Sequence, residues 1–345
     1  MIAILVAGTV ALLVSLAGTP LVVDYFRRRG LGQPIREEGP HTHQSKAGTP
    51  TMGGTAIVLA AVVAYGVAHL GSAEVTAAGL LVLGIFVGMA VVGFADDFIK
   101  VRMRRNLGLN KTTKFLGQAV MAAVFAFAGP GVAGLPQNIS VVGSLAWEVP
   151  AWAFFIWMFL LLVGASNAVN LTDGLDGLAA GSSALVFGAY TLIAFWQFRN
   201  PFAYPLGAGE ALDIAIIVAA ATAACAGFLW HNAPPAAIFM GDTGSLALGG
   251  LLAAVAVATN TQFLLVLLGG LFVIETLSVI LQVAVFRTTG KRVLRRAPLH
   301  HHVELLGWQE TTIIVRFWII AGLGIAIGLG VFYAEYLGRF GPLGS

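Results

Sequence analysis

Hydrophobic and polar positions along the chain separate into long blocks. Ten nearly uncharged runs, at residues 2–23, 53–70, 77–95, 115–128, 152–169, 178–198, 214–230, 243–258, 262–286 and 312–337, alternate with short polar segments. Crossing the roughly 30 Å hydrocarbon core at 1.5 Å per residue takes a helix of about 20 residues, the length most of these runs have. Barrel strands would be about half as long and would alternate residue by residue. The pattern predicts an all-α polytopic membrane protein with ten transmembrane helices. The first run lacks a basic leading segment and Thr19-Pro20-Leu21 is a poor cleavage site, so it reads as a helix and not as a signal peptide. Gly143-Ser144 inside 139–149 predicts a small hairpin before the fifth helix. Gly269-Gly270, Glu275 and Gln282 mark the ninth run as the place for a bend. With no repeat of fixed period and no separate polar segment, residues 1–345 read as a single integral membrane domain.

Composition agrees. Only 10% of the residues are charged and 58% are hydrophobic, against about a quarter charged in a soluble chain. This excludes a cytoplasmic globular enzyme, a disordered tail and a coiled coil. Cys225, the sole cysteine, lies in an apolar run and reads as a buried, inert thiol. The net charge of +3 invites a nucleic-acid reading, but placement argues against it: sixteen of the nineteen Lys and Arg lie in loops that follow odd-numbered helices. The positive-inside rule puts those loops in the cytoplasm and both termini outside, and no nucleic-acid surface is left.

The candidate chemistry gathers on that same side. Of seven aspartates, Asp96, Asp97, Asp173, Asp176 and Asp242 fall at helix ends or in short loops on the cytoplasmic face. Any one of them suits an N-cap or a solvated loop. Five together, with Lys46 and three histidines, point to binding, because acids at a membrane boundary are costly without a partner. Adjacent side chains on a helix point about 100° apart, so Asp96 and Asp97 are expected to divide roles, with Lys100 one turn on as a counter-charge. The run 167–177 sets Asn167, Asn170, Asp173 and Asp176 among Gly174 and Gly177, where backbone can approach a ligand closely. Pro234-Pro235 break the chain after Asn232, and Asp242 then either caps the next helix or holds a hard cation. Mg²⁺ is typically bound by one or two carboxylates with water and phosphate oxygens. His300, His301 and His302 point in different directions and suit phosphate contacts better than a transition metal. Residues 44–54, with Lys46 and Thr51, have the Gly, Thr and Lys of a phosphate loop without Walker spacing, which excludes a P-loop ATPase. Glu275, alone inside the ninth run, is either functional or a buried hydrogen-bond partner.

These five motifs, in their order along the chain and over essentially its whole length, resemble the bacterial phospho-N-acetylmuramoyl-pentapeptide transferase family of the polyprenyl-phosphate N-acetylhexosamine-1-phosphate transferase superfamily. The resemblance implies a cytoplasmic active-site cleft in a multi-pass protein of the bacterial plasma membrane. There the phosphate of undecaprenyl phosphate, a membrane lipid, attacks UDP-N-acetylmuramoyl-pentapeptide to give lipid I and UMP. It implies Mg²⁺, with Mn²⁺ as a substitute, held by Asp242, and Asp96 and Asp97 holding the lipid phosphate or acting as base. Gly174, Leu175, Asp176, Asn232 and Phe239 would form the nucleoside pocket, with Lys46 and Thr51 alongside. Asn167, Asn170 and Asp173 would face substrate, His300, His301 and His302 would meet phosphate or sugar, and either Lys111 or Lys114 would supply a further cation. A homodimer is compatible with the family. Two rivals remain: a sister transferase that makes an N-acetylglucosamine-phosphate lipid, and a transporter, which would carry charges along a path and inverted repeats.

Overall fold

The computed structural model describes residues 1–29, 48–71, 73–103, 108–143 and 145–341. Lys46 lies outside the described residues. Twelve helices and one hairpin follow in order: α1 (Ile2–Arg28), α2 (Gly54–Ala68), α3 (Ala77–Arg102), α4 (Lys111–Gly131), β1 (Asn138–Val142), β2 (Leu145–Glu148), α5 (Ala151–Thr172), α6 (Leu178–Arg199), α7 (Ala208–Asn232), α8 (Gly241–Ala258), α9 (Leu265–Leu268), α10 (Gly270–Thr289), α11 (Leu299–Glu304) and α12 (Glu310–Phe340). Among the described residues nine helices are long and apolar enough to cross a membrane. The run at 53–70 becomes α2, apolar but only 15 residues, or about 22 Å at the helical rise.

Helix ends depart from the sequence expectation for physical reasons. α3 runs past Asp96 and Asp97 to Arg102 because Lys100 pairs with both acids within the helix. The ninth run is two helices, α9 and α10, parted at Gly269. The expected hairpin is antiparallel, with Asn138 opposite Glu148 and Gly143 at φ +51° in the turn. Asn260, just past α8, closes it by donating Nδ2–H to the Gly143 carbonyl at 2.6 Å.

α8 lies at the centre: 89% of its apolar window is buried, against 17% for α10. Its neighbours approach through glycine. A Cβ on Gly93 of α3 would overlap the backbone of Asp242, one on Gly54 of α2 the backbone of Gly244, and one on Gly249 of α8 the backbone of Ala165 and Ser166 in α5. Small residues at such crossings let helix backbones touch, which is how helices gain packing energy without a hydrophobic drive in lipid. The three contacts bring the ends of α2, α3 and α5 to the N-terminus of α8. At the opposite end of α3, fully buried Asp213 of α7 accepts hydrogen bonds from Thr76 N (2.7 Å) and Thr76 Oγ1 (2.8 Å), fixing the α2–α3 connection.

Candidate active site

Four helix ends supply one cluster. The last turns of α3 carry Asp96, Asp97 and Lys100, the first turn of α4 carries Lys114, the last turn of α5 carries Asn170, and the first turn of α8 carries Asp242, Thr243 and Ser245. One carboxylate oxygen from each of Asp96, Asp97 and Asp242 lies within 4.8 Å of the others. The adjacent acids face different partners. Asp97 Oδ2 accepts from Thr243 N (2.9 Å) and Thr243 Oγ1 (2.8 Å), while Asp96 Oδ1 accepts from Leu109 N (2.9 Å) and its carboxylate pairs with Lys100.

Asp242 is not the cap of its helix: Met240 stands at that position and no side chain caps it. The capping reading therefore fails for Asp242, and an anion from a different helix, Asp97, satisfies the buried first-turn amide of Thr243. Freed from capping, Asp242 is gripped on both oxygens. Lys100 Nζ (2.9 Å) and Lys114 Nζ (2.7 Å) reach Oδ2, and Asn170 Nδ2 donates to Oδ1 at 2.6 Å and to Ser245 Oγ at 2.8 Å. Three carboxylates this close repel one another, and the two ammonium groups offset that repulsion. An oxygen-only donor set of carboxylates with one residual negative charge fits a hard divalent cation such as Mg²⁺ or Mn²⁺.

Beside the cluster the chain turns through Asp173–Gly177, which is fastened from several sides. Asp176 N donates to Glu310 Oε1 (3.0 Å), Ala236 N donates to Asp176 Oδ2 (3.0 Å), and Gly177 N donates to Asn232 Oδ1 (3.0 Å). Asn232 in turn donates Nδ2–H to the Ile238 carbonyl at 2.8 Å. Gly177, at φ +78°, starts α6 in the left-handed region that favours glycine. Beneath the turn Leu175 and Leu178 pack with Leu271, Ile313 and Phe317. Asp173 keeps some surface, yet the surrounding protein pushes its carboxyl well above the usual range, first by desolvation and then through the charges of Asp242 and Asp97.

The other sequence candidates fall in three groups. Thr51 and Phe239 join the site: Phe239 N donates to the Pro50 carbonyl (2.8 Å), Gly53 N to the Phe239 carbonyl (2.8 Å), and buried Thr51 sets its hydroxyl beside Gly241. Asn167 and Lys111 stay out of the cluster, since Asn167 donates Nδ2–H to Val163 O of its own helix at 2.8 Å and Lys111 is exposed on α4. The histidines diverge. His300 is fully buried behind the Asp173–Gly177 turn, with Nδ1 3.2 Å from Glu275 Oε2. His301 Nδ1 lies 3.1 Å from Glu304 Oε2, and burial holds its imidazole below the usual range. His302 Nδ1 accepts from Arg295 N at 3.1 Å.

Sequence reasoning left out Thr243, Ser245 and Glu310, and gave Lys100 only a local part. Thr243 and Ser245 had a signal, because they immediately follow Asp242 in a Gly-flanked polar string. Glu310 had none, being 134 residues from the amide it holds.

Residues 78–260 match the family described as glycosyl transferase family 4, and residues 46–58 match phospho-N-acetylmuramoyl-pentapeptide-transferase signature 1. Similar relatives named phospho-N-acetylmuramoyl-pentapeptide-transferase include one from Frankia casuarinae, 55% identical over 98% of this chain and 99% of the relative. One from Rhodococcus jostii is 51% identical over 98% and 99%, and one from Saccharopolyspora erythraea 50% identical over 97% of each. With half its residues shared along nearly the full length of both partners, and its acidic cluster and signature segment inside the matched regions, the chain belongs to the phospho-N-acetylmuramoyl-pentapeptide-transferase family.

Proposed function

We propose that the Asp96–Asp97–Asp242 cluster transfers phospho-N-acetylmuramoyl-pentapeptide from its UDP conjugate to undecaprenyl phosphate, releasing UMP and forming lipid I in the membrane step of peptidoglycan synthesis. The cluster itself carries this reading: three carboxylates from two helices, bridged by Lys100, with Lys114 on Asp242 and a glycine turn beside them. The C-terminal ends of α1, α3 and α10 bear Arg27, Arg28, Arg102 and Arg287, which by the positive-inside rule supports a site at the cytoplasmic face of the bacterial plasma membrane with both termini outside. A soluble, anionic nucleotide sugar and a lipid phosphate meet at that boundary.

Phosphoryl transfer asks mainly for positioning and charge neutralisation. Lys100 and Lys114 supply positive charge at the acids, and Asn170 and Thr243 hold two of the carboxylates in fixed directions. Asp242, with Asp96 and Asp97 beside it, would hold Mg²⁺ or Mn²⁺, which when bound would neutralise charge on the substrate diphosphate and on the departing UMP. The attacking phosphate monoester has a second pKa of about 6 and is largely dianionic at neutral pH. Proton removal by a carboxylate contributes little to such a nucleophile, so the acids position the lipid phosphate and transfer is direct, without an aspartyl-phosphate.

The test is UMP release by detergent-purified protein supplied with undecaprenyl phosphate and either UDP-N-acetylmuramoyl-pentapeptide or UDP-N-acetylglucosamine. Release with the first substrate alone is expected. Release with the second alone assigns the protein to the sister activity, and release with neither overturns the transferase reading.

A further inference from the structure

Glu275 lies five residues past the start of α10, in a stretch with no other charge before Arg287, and is fully buried. A buried carboxylate in an apolar helix is expensive unless it is paired. Its partner comes from a different element: His300 of α11, equally buried, with Nδ1 3.2 Å from Glu275 Oε2. The far edge of the same ring abuts the Asp173–Gly177 turn, where a Cβ on Gly174 would overlap Nε2 and Cε1. Nδ1 is the ring nitrogen that faces the carboxylate, in a close polar contact and not a regular hydrogen bond. Nε2, on the other edge of the ring, is buried against Gly174.

The arrangement is a strut that runs from α10 through α11 to the turn. The other half of the turn is fastened by hydrogen bonds to Asp176 and Gly177, whereas Gly174, without a side chain, is held by the ring. We propose that Glu275 is a positioning residue for the nucleotide-binding turn and acts through His300. This rests on the proposed function and on the nucleoside pocket that the family resemblance implies for Gly174, Leu175 and Asp176. Neither Glu275 nor His300 belongs to the three-carboxylate cluster, so their loss acts on binding of the soluble substrate and leaves the lipid phosphate untouched.

The experiment measures kcat, KM for UDP-N-acetylmuramoyl-pentapeptide and KM for undecaprenyl phosphate in Glu275→Leu, Glu275→Gln, Glu275→Asp, His300→Ala and the Glu275→Leu/His300→Ala double variant, with melting temperature in detergent as the check on folding. Glu275→Leu raises KM for the UDP substrate about tenfold and leaves KM for the lipid within about twofold. Glu275→Gln, which has the same length and still presents an oxygen to Nδ1, stays close to wild type. Glu275→Asp, one methylene short, does not. The double variant is no worse than His300→Ala, because both changes remove one interaction. A folded Glu275→Leu protein with unmoved KM for the UDP substrate, an equal rise in both KM values, or additive losses in the double variant would overturn the proposal. Where the Leu variant does not fold, equal nucleotide KM in the Gln and Asp variants overturns it. A wild-type protein that never turns over the UDP substrate sinks the functional reading instead, so the two failures are separable.

Discussion

Lys111 and Lys114 stand one turn apart on α4, yet the structure places one of them on Asp242 and leaves the other in solvent. Lys114→Met keeps most of the side-chain stem and removes one of the two cations at the acid. Turnover is expected to fall about a hundredfold, the scale of deleting one preorganised charge-stabilising donor, while Lys111→Met stays within about twofold, as for an exposed charge. UMP release at saturating substrates decides this, and equal losses would contradict the assignment of Lys114. Asp242→Asn has the same size and keeps a hydrogen-bonding group but loses the charge. It is expected to lose both turnover and Mn²⁺ binding followed by electron paramagnetic resonance, and near-normal values would reduce Asp242 to a part in folding. The acids themselves were legible because charges stand out in an apolar sequence. The choice between two lysines was not, since three residues on a helix differ by most of a turn and only the register of α4 against α8 decides which one arrives. The same limit hid Asp97 as the partner of the Thr243 amide, a contact between residues 146 positions apart.

At the scale of elements, the helices were readable from block hydrophobicity, whereas their ends and contacts depended on pairing. α3 outran its expected end because Lys100 neutralises the acids one turn earlier. The second run shrank to the short α2, whose glycine approach to Gly244 no hydrophobic count could show. The glycine at the α3–α8 crossing can be tested directly. A Cβ on Gly93 would collide with the Asp242 carbonyl and the Thr243 amide, so Gly93→Ala must part the two helices at the contact that also holds the Asp97–Thr243 hydrogen bonds. Overpacking of this kind costs about 1–3 kcal/mol. The variant is expected to melt lower in detergent and to turn over more slowly. Gly84→Ala, on the same helix with open space around it, is the control and should match wild type in both. Equal behaviour of the two variants would mean that the crossing does not set the geometry of the site.

At the scale of the whole molecule, a site at the membrane boundary needs a path for a long polyprenyl chain. The sequence located a bend in the ninth run, and the structure breaks it at Gly269, leaving α10 the least buried of the long helices. Ile274, Leu277, Ile280 and Leu281 are exposed along it. Where α10 ends, a cavity of about 730 Å³ is lined by Val279, Val283 and Phe286 together with Arg287, Arg292, Arg295 and Arg296. A lining that mixes apolar and basic side chains suits a molecule with a hydrocarbon tail and a phosphate head, and basic pockets at the ends of membrane helices bind anionic headgroups by the same electrostatics. Which helix face stays open to lipid follows from tertiary packing, so no periodicity in this uniformly apolar run could reveal it. A photoreactive residue at Leu281 is expected to capture labelled undecaprenyl phosphate, and excess unlabelled lipid phosphate should abolish the capture. The same group at Val124 of α4, also exposed, should give only the background labelling of a lipid-facing surface. If Leu281 and Val124 label alike and neither is competed, the lipid reaches Asp96 and Asp97 by another route and α10 is not its wall.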